Sequence, residues 1–312
     1  MNLQQLEYII AVDRLQSFSK AAAYCHVTQA TLSAMIKKLE EELSLVLFDR
    51  KAKPVITTDC GKEIIQEAKK VLYHSNELLD LAKSVQGRVS GEVKLAIIPT
   101  IASSLLPLII KPILTKYPDL HLTVVEITTD EIVKSLKEGD VDIGILATPI
   151  EDKSVEENIL YYETLLVYGD VQTDGEYLIP EEISNYKVWL FEEGHCLREQ
   201  FVNFCALKEH GDQPENFRFE ANSFDTLLNM VDNFGGITLI PELYIKNLTR
   251  ERKQKIRQFR KPVPVREISL VYFRPFARFR IIQALTSDII DLTKDELLSK
   301  NYQNRDMVIA RI

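Results

Sequence analysis

Residues 17–39, SFSKAAAYCHVTQATLSAMIKKL, encode two short helices that are separated by a tight turn. Ala21 and Ala22 lie on the apolar face of the first of these helices, and the turn follows at residues 25–27. Thr28 stands where an N-cap would open the next helix, whose apolar residues recur at helical spacing. Together with an amphipathic helix before residue 17, the pattern predicts a helix–turn–helix, although a generic three-helix bundle with a solvated polar face gives the same pattern.

A small β-wing is predicted after the third helix, over residues 46–57 with Lys53-Pro54 at its tip. The third helix presents small and amide side chains away from its apolar stripe, and such side chains suit entry into the major groove of DNA. Basic side chains on this helix and on the wing are placed to contact phosphates, which makes affinity salt-dependent. The predicted DNA-contacting residues are Gln29, Ala30, Thr31, Ser33, Lys37, Arg50 and Lys53.

One long helix without proline is predicted from residue 58 to residue 86. Its apolar residues alternate at spacings of three and four, which is the pattern of a heptad seam. Because this helix joins two regions of different texture, the seam favours a dimerising helix over one packed only on its own domain. The seam residues are Ile64, Ala68, Val71, Ser75, Leu78, Ala82 and Val85.

Beyond residue 87 the pattern changes to alternating strands and helices, which predicts an α/β region with two lobes. The chain is expected to leave the first lobe near residue 165 and to return to it near residue 267. The strands of the second lobe are expected to form a sheet of their own. Predicted strands cover 93–98, 120–127, 141–147 and 268–273 in the first lobe, and 165–168, 188–191, 217–221 and 237–240 in the second.

Composition indicates an ordinary globular protein, with 312 residues of which 46% are hydrophobic and 27% are charged. The net charge of −8 gives no global sign of nucleic-acid binding, so any such site must be a local patch. No apolar run approaches the ~18 residues that a membrane span needs, and the N-terminal residues lack the pattern of a signal peptide. We therefore expect a cytoplasmic protein without a membrane partner.

Two of the four cysteines, Cys196 and Cys205, lie nine residues apart in a stretch that is typical of a short helix. On one helix nine residues span roughly 13 Å and half a rotation, whereas a disulfide needs Cα atoms about 4.4–6.8 Å apart. A bond between this pair would require the helix to unwind, which couples oxidation state to conformation. Neither the spacing nor the neighbours resemble metal ligation, and no metal or cofactor is predicted. Core filling is the expected role of Cys25 and Cys60.

Residues 1–57 resemble the N-terminal domain of LysR-type transcriptional regulators, on motifs that include Leu6-Glu7-Tyr8, Ser17-Phe18-Ser19-Lys20-Ala21-Ala22, Thr28-Gln29-Ala30-Thr31-Leu32-Ser33, Ile36-Lys37-Lys38-Leu39-Glu40 and Leu47-Phe48-Asp49-Arg50. The resemblance implies a winged helix–turn–helix, a long dimerisation linker helix and a two-lobed, periplasmic-binding-protein-like α/β effector domain. The implied domains are 1–57 for DNA binding, 58–87 for the linker and 88–312 for regulation. In the last of these, lobe I covers about 88–165 and 268–300, and lobe II about 166–267.

The segment Gly194-His195-Cys196-Leu197-Arg198 resembles the peroxide-sensing branch of that family, as do residues 226–231 and 236–241. This resemblance implies that Cys196 is the peroxidatic cysteine and Cys205 the resolving one. It also implies that a peroxide is held by Thr100, Thr129, His195 and Arg266.

Each of these residues also has a plainer interpretation. Thr100 and Thr129 stand where helix N-caps are expected, His195 can be a loop histidine, and Arg266 can be an ordinary ion-pair partner. A reactive thiolate needs a helix N-terminus or a cation nearby. The predicted helix after His195 supplies the first, and Arg198 is the expected source of the second.

The function implied by the resemblance is that of a transcriptional regulator and not an enzyme. Its implied partners are double-stranded promoter DNA, RNA polymerase and further copies of the chain in a homodimer or homotetramer, with hydrogen peroxide as the signal for oxidative-stress defence genes. Two alternatives stay open: a sensor that binds an organic anion at Thr100, Ser103 and Ser104, and a thiol peroxidase. Glu199 stands where an aspartate is expected, and the tail after Thr293 is longer than usual and has no assigned role.

Overall fold

The computed structural model describes residues 1–85, 89–171, 177–192, 194–205, 221–273 and 279–310. The chain forms two compact units, Met1–Gln86 and Gly87–Ile312. Among the helices of the described ranges, none is long and apolar enough to cross a membrane.

The first unit is a winged helix–turn–helix followed by one long helix, as the sequence predicts. Thr28 caps the third helix, because its hydroxyl accepts a hydrogen bond from the Thr31 backbone N–H at 3.1 Å. Leu32, Ile36 and Leu39 on that helix are fully buried against the other helices, which leaves its opposite face to solvent. The elements are α1 (Leu3–Leu15), α2 (Phe18–Tyr24), α3 (Gln29–Leu43), β1 (Phe48–Asp49), β2 (Ile56–Thr57) and α4 (Asp59–Val85).

The wing is fastened to α3 through Glu40. One oxygen of its carboxylate accepts the Leu47 backbone N–H at 2.8 Å, and the other lies 2.6 Å from a guanidinium nitrogen of Arg50. The same guanidinium donates to the Ser33 hydroxyl at 3.0 Å and lies over the ring of Phe18 at 4.9 Å. Glu40 is thus the residue that holds the wing and α3 together.

The long helix α4 packs on the first unit through only part of its seam. The seam residue Ala68 and its neighbour Ile65 are buried against α1 and its neighbours, whereas the seam residues Val71 and Leu78 are 43% and 69% exposed. The side chains of the last two seam positions, 82 and 85, lie outside the described part. Exposed apolar side chains at heptad spacing are typical of a helix that pairs with another helix. Dimerisation through α4 stays a prediction.

Within the described residues, the second unit is built on one nine-stranded sheet. Its strand order is β4-β3-β5-β10-β6-β9-β7, with β8 paired to β6 and β11 paired to β10. The strands are β3 (Gly91–Ile97), β4 (Leu120–Glu126), β5 (Ile143–Thr148), β6 (Val155–Gly169), β7 (Tyr177–Leu178), β8 (Ile237–Pro241), β9 (Ile256–Phe259), β10 (Val263–Phe273) and β11 (Met307–Ile309). The helices are α5 (Pro99–Lys116), α6 (Thr129–Glu138), α7 (Cys196–Phe204), α8 (Phe224–Phe234), α9 (Arg250–Gln254) and α10 (Phe279–Thr293).

The expectation that the second lobe has a separate sheet is wrong. β6 and β10 are 15 and 11 residues long and pair with each other, so both lobes share them. Residues 188–191 form only two isolated bridges, from Val188 to Ile237 and from Phe191 to Ala221. The rest of the predicted strand at 217–220 lies outside the described residues. The lobes are instead distinguished by two hydrophobic clusters, one on each half of the shared sheet.

The C-terminal segment packs against the second unit through Glu242. This carboxylate is 4% exposed, and it accepts backbone N–H groups from Thr164 at 2.8 Å and from Leu298 at 2.6 Å. Burial raises the pKa of Glu242 to about 7, although the backbone hydrogen bonds oppose this shift. After Glu296 the described chain forms 3₁₀ turns at Leu298–Asn301 and Asn304–Asp306, and β11 follows them.

Glu242 should make stability depend on pH. Because its pKa rises from 4.5 to about 7 on folding, the folded state binds the extra proton between those values. The unfolding free energy should therefore fall as pH rises through that window, by on the order of 3 kcal/mol from this group. Urea unfolding of wild type and Glu242→Gln at pH 5 and pH 8 should show a flatter profile in the variant, and equal profiles would contradict the assignment.

Candidate functional site

The two cysteines mark the ends of α7. Cys196 is the first residue of the helix and Cys205 is its C-cap, and both are free thiols. They are 4% and 5% exposed, and they belong to different hydrophobic clusters, Cys196 to that of lobe I and Cys205 to that of lobe II. A continuous helix over this length separates the two Cα atoms by roughly 13 Å, so a disulfide between them requires α7 to unwind.

A buried arginine lies beside the first thiol. Arg266, on β10, has no exposed side-chain surface, and its Nε lies 2.5 Å from a carboxylate oxygen of Glu163 on β6. Its other two nitrogens donate to the hydroxyl and to the carbonyl oxygen of Thr100, at 3.0 and 2.9 Å. The guanidinium therefore joins β10, β6 and the start of α5, and every nitrogen of its planar fork has an acceptor.

Opposing influences act on the Cys196 thiol. Burial raises its pKa, and the nearby carboxylate of Glu199 acts in the same direction. The charge of Arg266 and the hydroxyl of Thr129 lower the pKa of the same thiol, but burial prevails and the net shift is upward. In this state Cys196 is therefore held as a thiol that has the groups needed to stabilise its thiolate close at hand.

The cation beside Cys196 is Arg266 and not Arg198. The guanidinium of Arg198 donates to the backbone carbonyl of Phe191 at 2.9 Å, and it is not among the groups that shift the pKa of Cys196. The sequence suggested Arg198 because it is two residues from the thiol. The side chain instead turns back to close the loop before α7, and the charge comes from a strand 70 residues further along the chain.

The threonines are not the N-caps that their positions suggest. α5 is capped at Ile98 and Thr100 is its second residue, so its buried hydroxyl is available to Arg266. The cap of α6 is Thr128, whose backbone N–H and hydroxyl both bond the Glu131 carboxylate at 2.9 Å. Thr129 Oγ1 is buried and makes no hydrogen bond of ordinary geometry among the described residues, yet it is near enough to Cys196 to lower the pKa of its thiol.

His195 is a buried residue at the N-cap of α7 and not an exposed loop histidine. Its side chain is 4% exposed, its ring centroid lies 5.1 Å from that of Phe191, and its Nε2 lies 3.5 Å from a carboxylate oxygen of Glu192. The structure thus places all four predicted ligand residues in the second unit and links two of them directly, Thr100 and Arg266. The His195 ring packs the start of α7 against the Phe191 ring.

A cavity borders this cluster. It has a volume of about 610 Å³ and lies between α6, the loop at 149–152 and α7. Two of its lining residues, Thr129 and Glu199, also act on Cys196, so the cavity reaches the groups around the thiol.

Sequence reasoning missed Glu163. The carboxylate is 1% exposed and is the ion-pair partner of Arg266. The signal was a lone acidic residue inside an otherwise apolar stretch, because Leu160, Tyr161 and Leu165 around it are all buried. A carboxylate at such a position needs a buried cation, which sequence spacing alone does not identify.

The predicted DNA-contacting residues fall into two groups. Gln29, Ala30, Thr31 and Lys37 on α3 and Lys53 on the wing have exposed side chains. The remaining two residues, Ser33 and Arg50, are hydrogen-bonded to each other.

Family models match both units of the chain. Residues 3–62 match the bacterial regulatory helix-turn-helix protein of the lysR family, and residues 86–287 match the LysR substrate binding domain. The second match alone spans more than half of the sequence. The chain belongs to the LysR family of bacterial regulators.

Several similar proteins are named hydrogen peroxide-inducible genes activator or OxyR. The chain is 31% identical to the hydrogen peroxide-inducible genes activator of Haemophilus influenzae, over 95% of this chain and 100% of that protein. It is 34% identical to the DNA-binding transcriptional dual regulator OxyR of Escherichia coli, over 90% of this chain and 92% of that one. A full-length OxyR variant from Pseudomonas aeruginosa superposes with a TM-score of 0.76 at 28% identity, covering 93% of this chain and 98% of that chain. The predicted fold class is thereby confirmed.

The charge of Arg266 should set the reactivity of Cys196. Replacing Arg266→Gln together with Glu163→Gln removes the buried pair without leaving one charge alone. The pKa of Cys196 should then rise, and a rise of one unit slows alkylation at neutral pH roughly tenfold. The alkylation rate of Cys196 is measured by mass mapping at a series of pH values, with Arg198→Gln as the matched control. An unshifted profile in the double variant, or an equal shift in the control, would refute this assignment.

Proposed function

We propose that this protein is a transcriptional regulator that senses hydrogen peroxide, binds double-stranded promoter DNA and controls oxidative-stress defence genes. The observation that carries the proposal is the arrangement at α7, with Cys196 at the helix start beside Arg266 and Thr129 and with Cys205 at the helix end. The names of the relatives support it. In this proposal residues 1–57 bind DNA, 58–87 dimerise and 88–312 sense the signal.

The proposed chemistry uses both thiols and one peroxide. The Cys196 thiolate attacks one oxygen of hydrogen peroxide, the O–O bond breaks, and hydroxide leaves as a sulfenic acid forms. The Cys205 thiolate then attacks that sulfur, an S–S bond forms, and a second hydroxide leaves. With the two thiol protons the products are one disulfide and two waters, so the protein is oxidised and the peroxide is reduced.

The proposed peroxide site consists of Thr100, Thr129, His195 and Arg266. Thr100 Oγ1 accepts from Arg266, which leaves its own hydrogen free to donate. Thr129 brings a buried hydroxyl with no ordinary partner among the described residues. Peroxide both donates and accepts hydrogen bonds, so hydroxyl groups, which do the same, suit it. Because Thr100 is 1% exposed and tied to Arg266, the same geometry disfavours an organic anion at this residue.

The proposed output is a change in how copies of the chain are arranged. Because the two thiols lie in different hydrophobic clusters, drawing the sulfurs together must repack the apolar contacts of both lobes. In a homodimer or homotetramer joined through α4, such repacking changes which DNA half-sites the paired winged helices reach. It thereby also changes the contact between the protein and RNA polymerase. The protein acts here as a switch that is oxidised once per signal and not as a turning-over peroxidase.

Peroxide should convert wild-type protein into a form with a 196–205 crosslink. Mass mapping after a sub-stoichiometric pulse should show the disulfide in wild type and in the control Cys60→Ser. Cys205→Ser should stop at a sulfenic acid that a dimedone probe traps. Cys196→Ser should show neither product while still binding DNA. A sensor of an organic metabolite would give no crosslink in any of these proteins, and a peroxidase would consume peroxide catalytically in a coupled assay.

DNA binding should separate phosphate contacts from base contacts. Lys53→Gln should weaken binding to all sequences alike and reduce the salt slope by about 1. Gln29→Ala should cost about 1–3 kcal/mol at its own base pair and little elsewhere. Fluorescence anisotropy on matched and mismatched operators at several salt concentrations measures both effects. Lys111→Gln, an exposed lysine on α5, is the control for net charge, and a slope change equal to that of Lys53→Gln would contradict the wing assignment.

A further inference from the structure

The last strand of the chain is fixed to the helix that carries the thiols. Ala310, directly after β11, is 2% exposed and its backbone N–H donates to the carbonyl of Val265 on β10 at 2.8 Å. Its own carbonyl accepts from the side-chain amide of Gln200 on α7 at 3.0 Å. Ala310 therefore bridges β10, one residue before Arg266, and α7, between the two cysteines.

The attachment is a built contact and not a loose tail. β11 pairs in parallel with β10, with Met307, Val308 and Ile309 beside residues 263–265. Ala310 belongs to the same hydrophobic cluster as Cys205.

Gln200 lies in the part of α7 between the two cysteines, which must unwind if a disulfide is to form. It lies four residues after Cys196 and five before Cys205, and its side chain has no exposed surface. Nε2 bonds Ala310, whereas Oε1 has no hydrogen-bond partner among the described residues. The amide thus serves one contact, and a helix that unwinds to join the sulfurs carries that donor away from the Ala310 carbonyl.

We propose that residues 307–310 form a latch that stabilises the dithiol form by holding α7 through the positioning residue Gln200. Disulfide formation and release of the latch are then coupled equilibria, and by linkage each favours the other. The inference rests on the proposed function for its redox half. The mechanical half, that the tail holds α7 closed, is a property of the reduced protein alone.

The mechanical half is tested without peroxide. Gln200→Leu in the full-length chain should expose Cys196 and Cys205 to iodoacetamide, with alkylation about fivefold faster than wild type for the loss of one hydrogen bond. A chain ending at Asp306 loses that bond and the β11 pairing, so its alkylation should be at least as fast. Lys261→Gln is the matched control, because it removes the surface ion pair from Lys261 to Asp306 at 3.1 Å and leaves Ala310 in place. Unchanged alkylation in the two latch variants, or an equal increase in the control, would overturn the proposal.

The redox half is tested by equilibration of the full-length proteins with glutathione buffers. Gln200→Leu should shift the ratio of disulfide to dithiol about fivefold toward the disulfide. The truncated chain should shift it at least as far, and Lys261→Gln should leave the ratio as in wild type. A residue that only supports the fold would lower the midpoint of urea unfolding without moving this ratio, and that result would also overturn the latch. If no protein forms the crosslink, the proposed function fails, and the alkylation rates alone decide whether the tail holds α7.

Discussion

The buried guanidinium of Arg266 is the interaction on which the sensing half of the structure depends. A charge with no exposed surface is tolerated only when its partners are in place, and here they come from Glu163 on β6 and Thr100 on α5. These contacts fix the shared strands against the first helix of lobe I. The same charge reaches Cys196, so a structural tie and an electrostatic influence on the thiol are one feature.

The two thiols differ in a way that orders their chemistry. Cys196 is buried, but its thiolate would be stabilised by a cation, a hydroxyl and a helix N-terminus. Cys205 has no such support from the part of the chain that the structure describes, and burial raises its pKa to about 12, with the charge of Glu181 adding to the shift. While α7 is intact, Cys205 is therefore a poor nucleophile. In the proposed mechanism Cys205 attacks an oxidised Cys196 only after α7 unwinds, because the intact helix holds the two Cα atoms roughly 13 Å apart.

Local patterns predicted much of the molecule. The Thr28 cap, the bounds of α4 and the start of α7 depend on residues a few positions apart, and the structure has each of them where the sequence indicated. The features that sequence reasoning missed depend on contacts between distant residues. Glu163 meets Arg266 across 103 positions, and Gln200 meets Ala310 across 110. Neither spacing nor composition identifies such partners, and for the same reason the sequence points to the nearby Arg198 for the cation that Arg266 supplies.

The contact between Arg50 and Glu40 has a consequence for how the protein searches DNA. The guanidinium is already neutralised by a carboxylate 2.6 Å away while the protein is free in solution. An arginine that must leave one anion to meet another gains only the difference between them, which is far less than an unpaired cation gains. If Arg50 contacts phosphate as proposed, this pair weakens adhesion to random DNA and releases the charge where the backbone is shaped to accept it. The wing would then favour residence at the correct sequence over capture anywhere along the duplex.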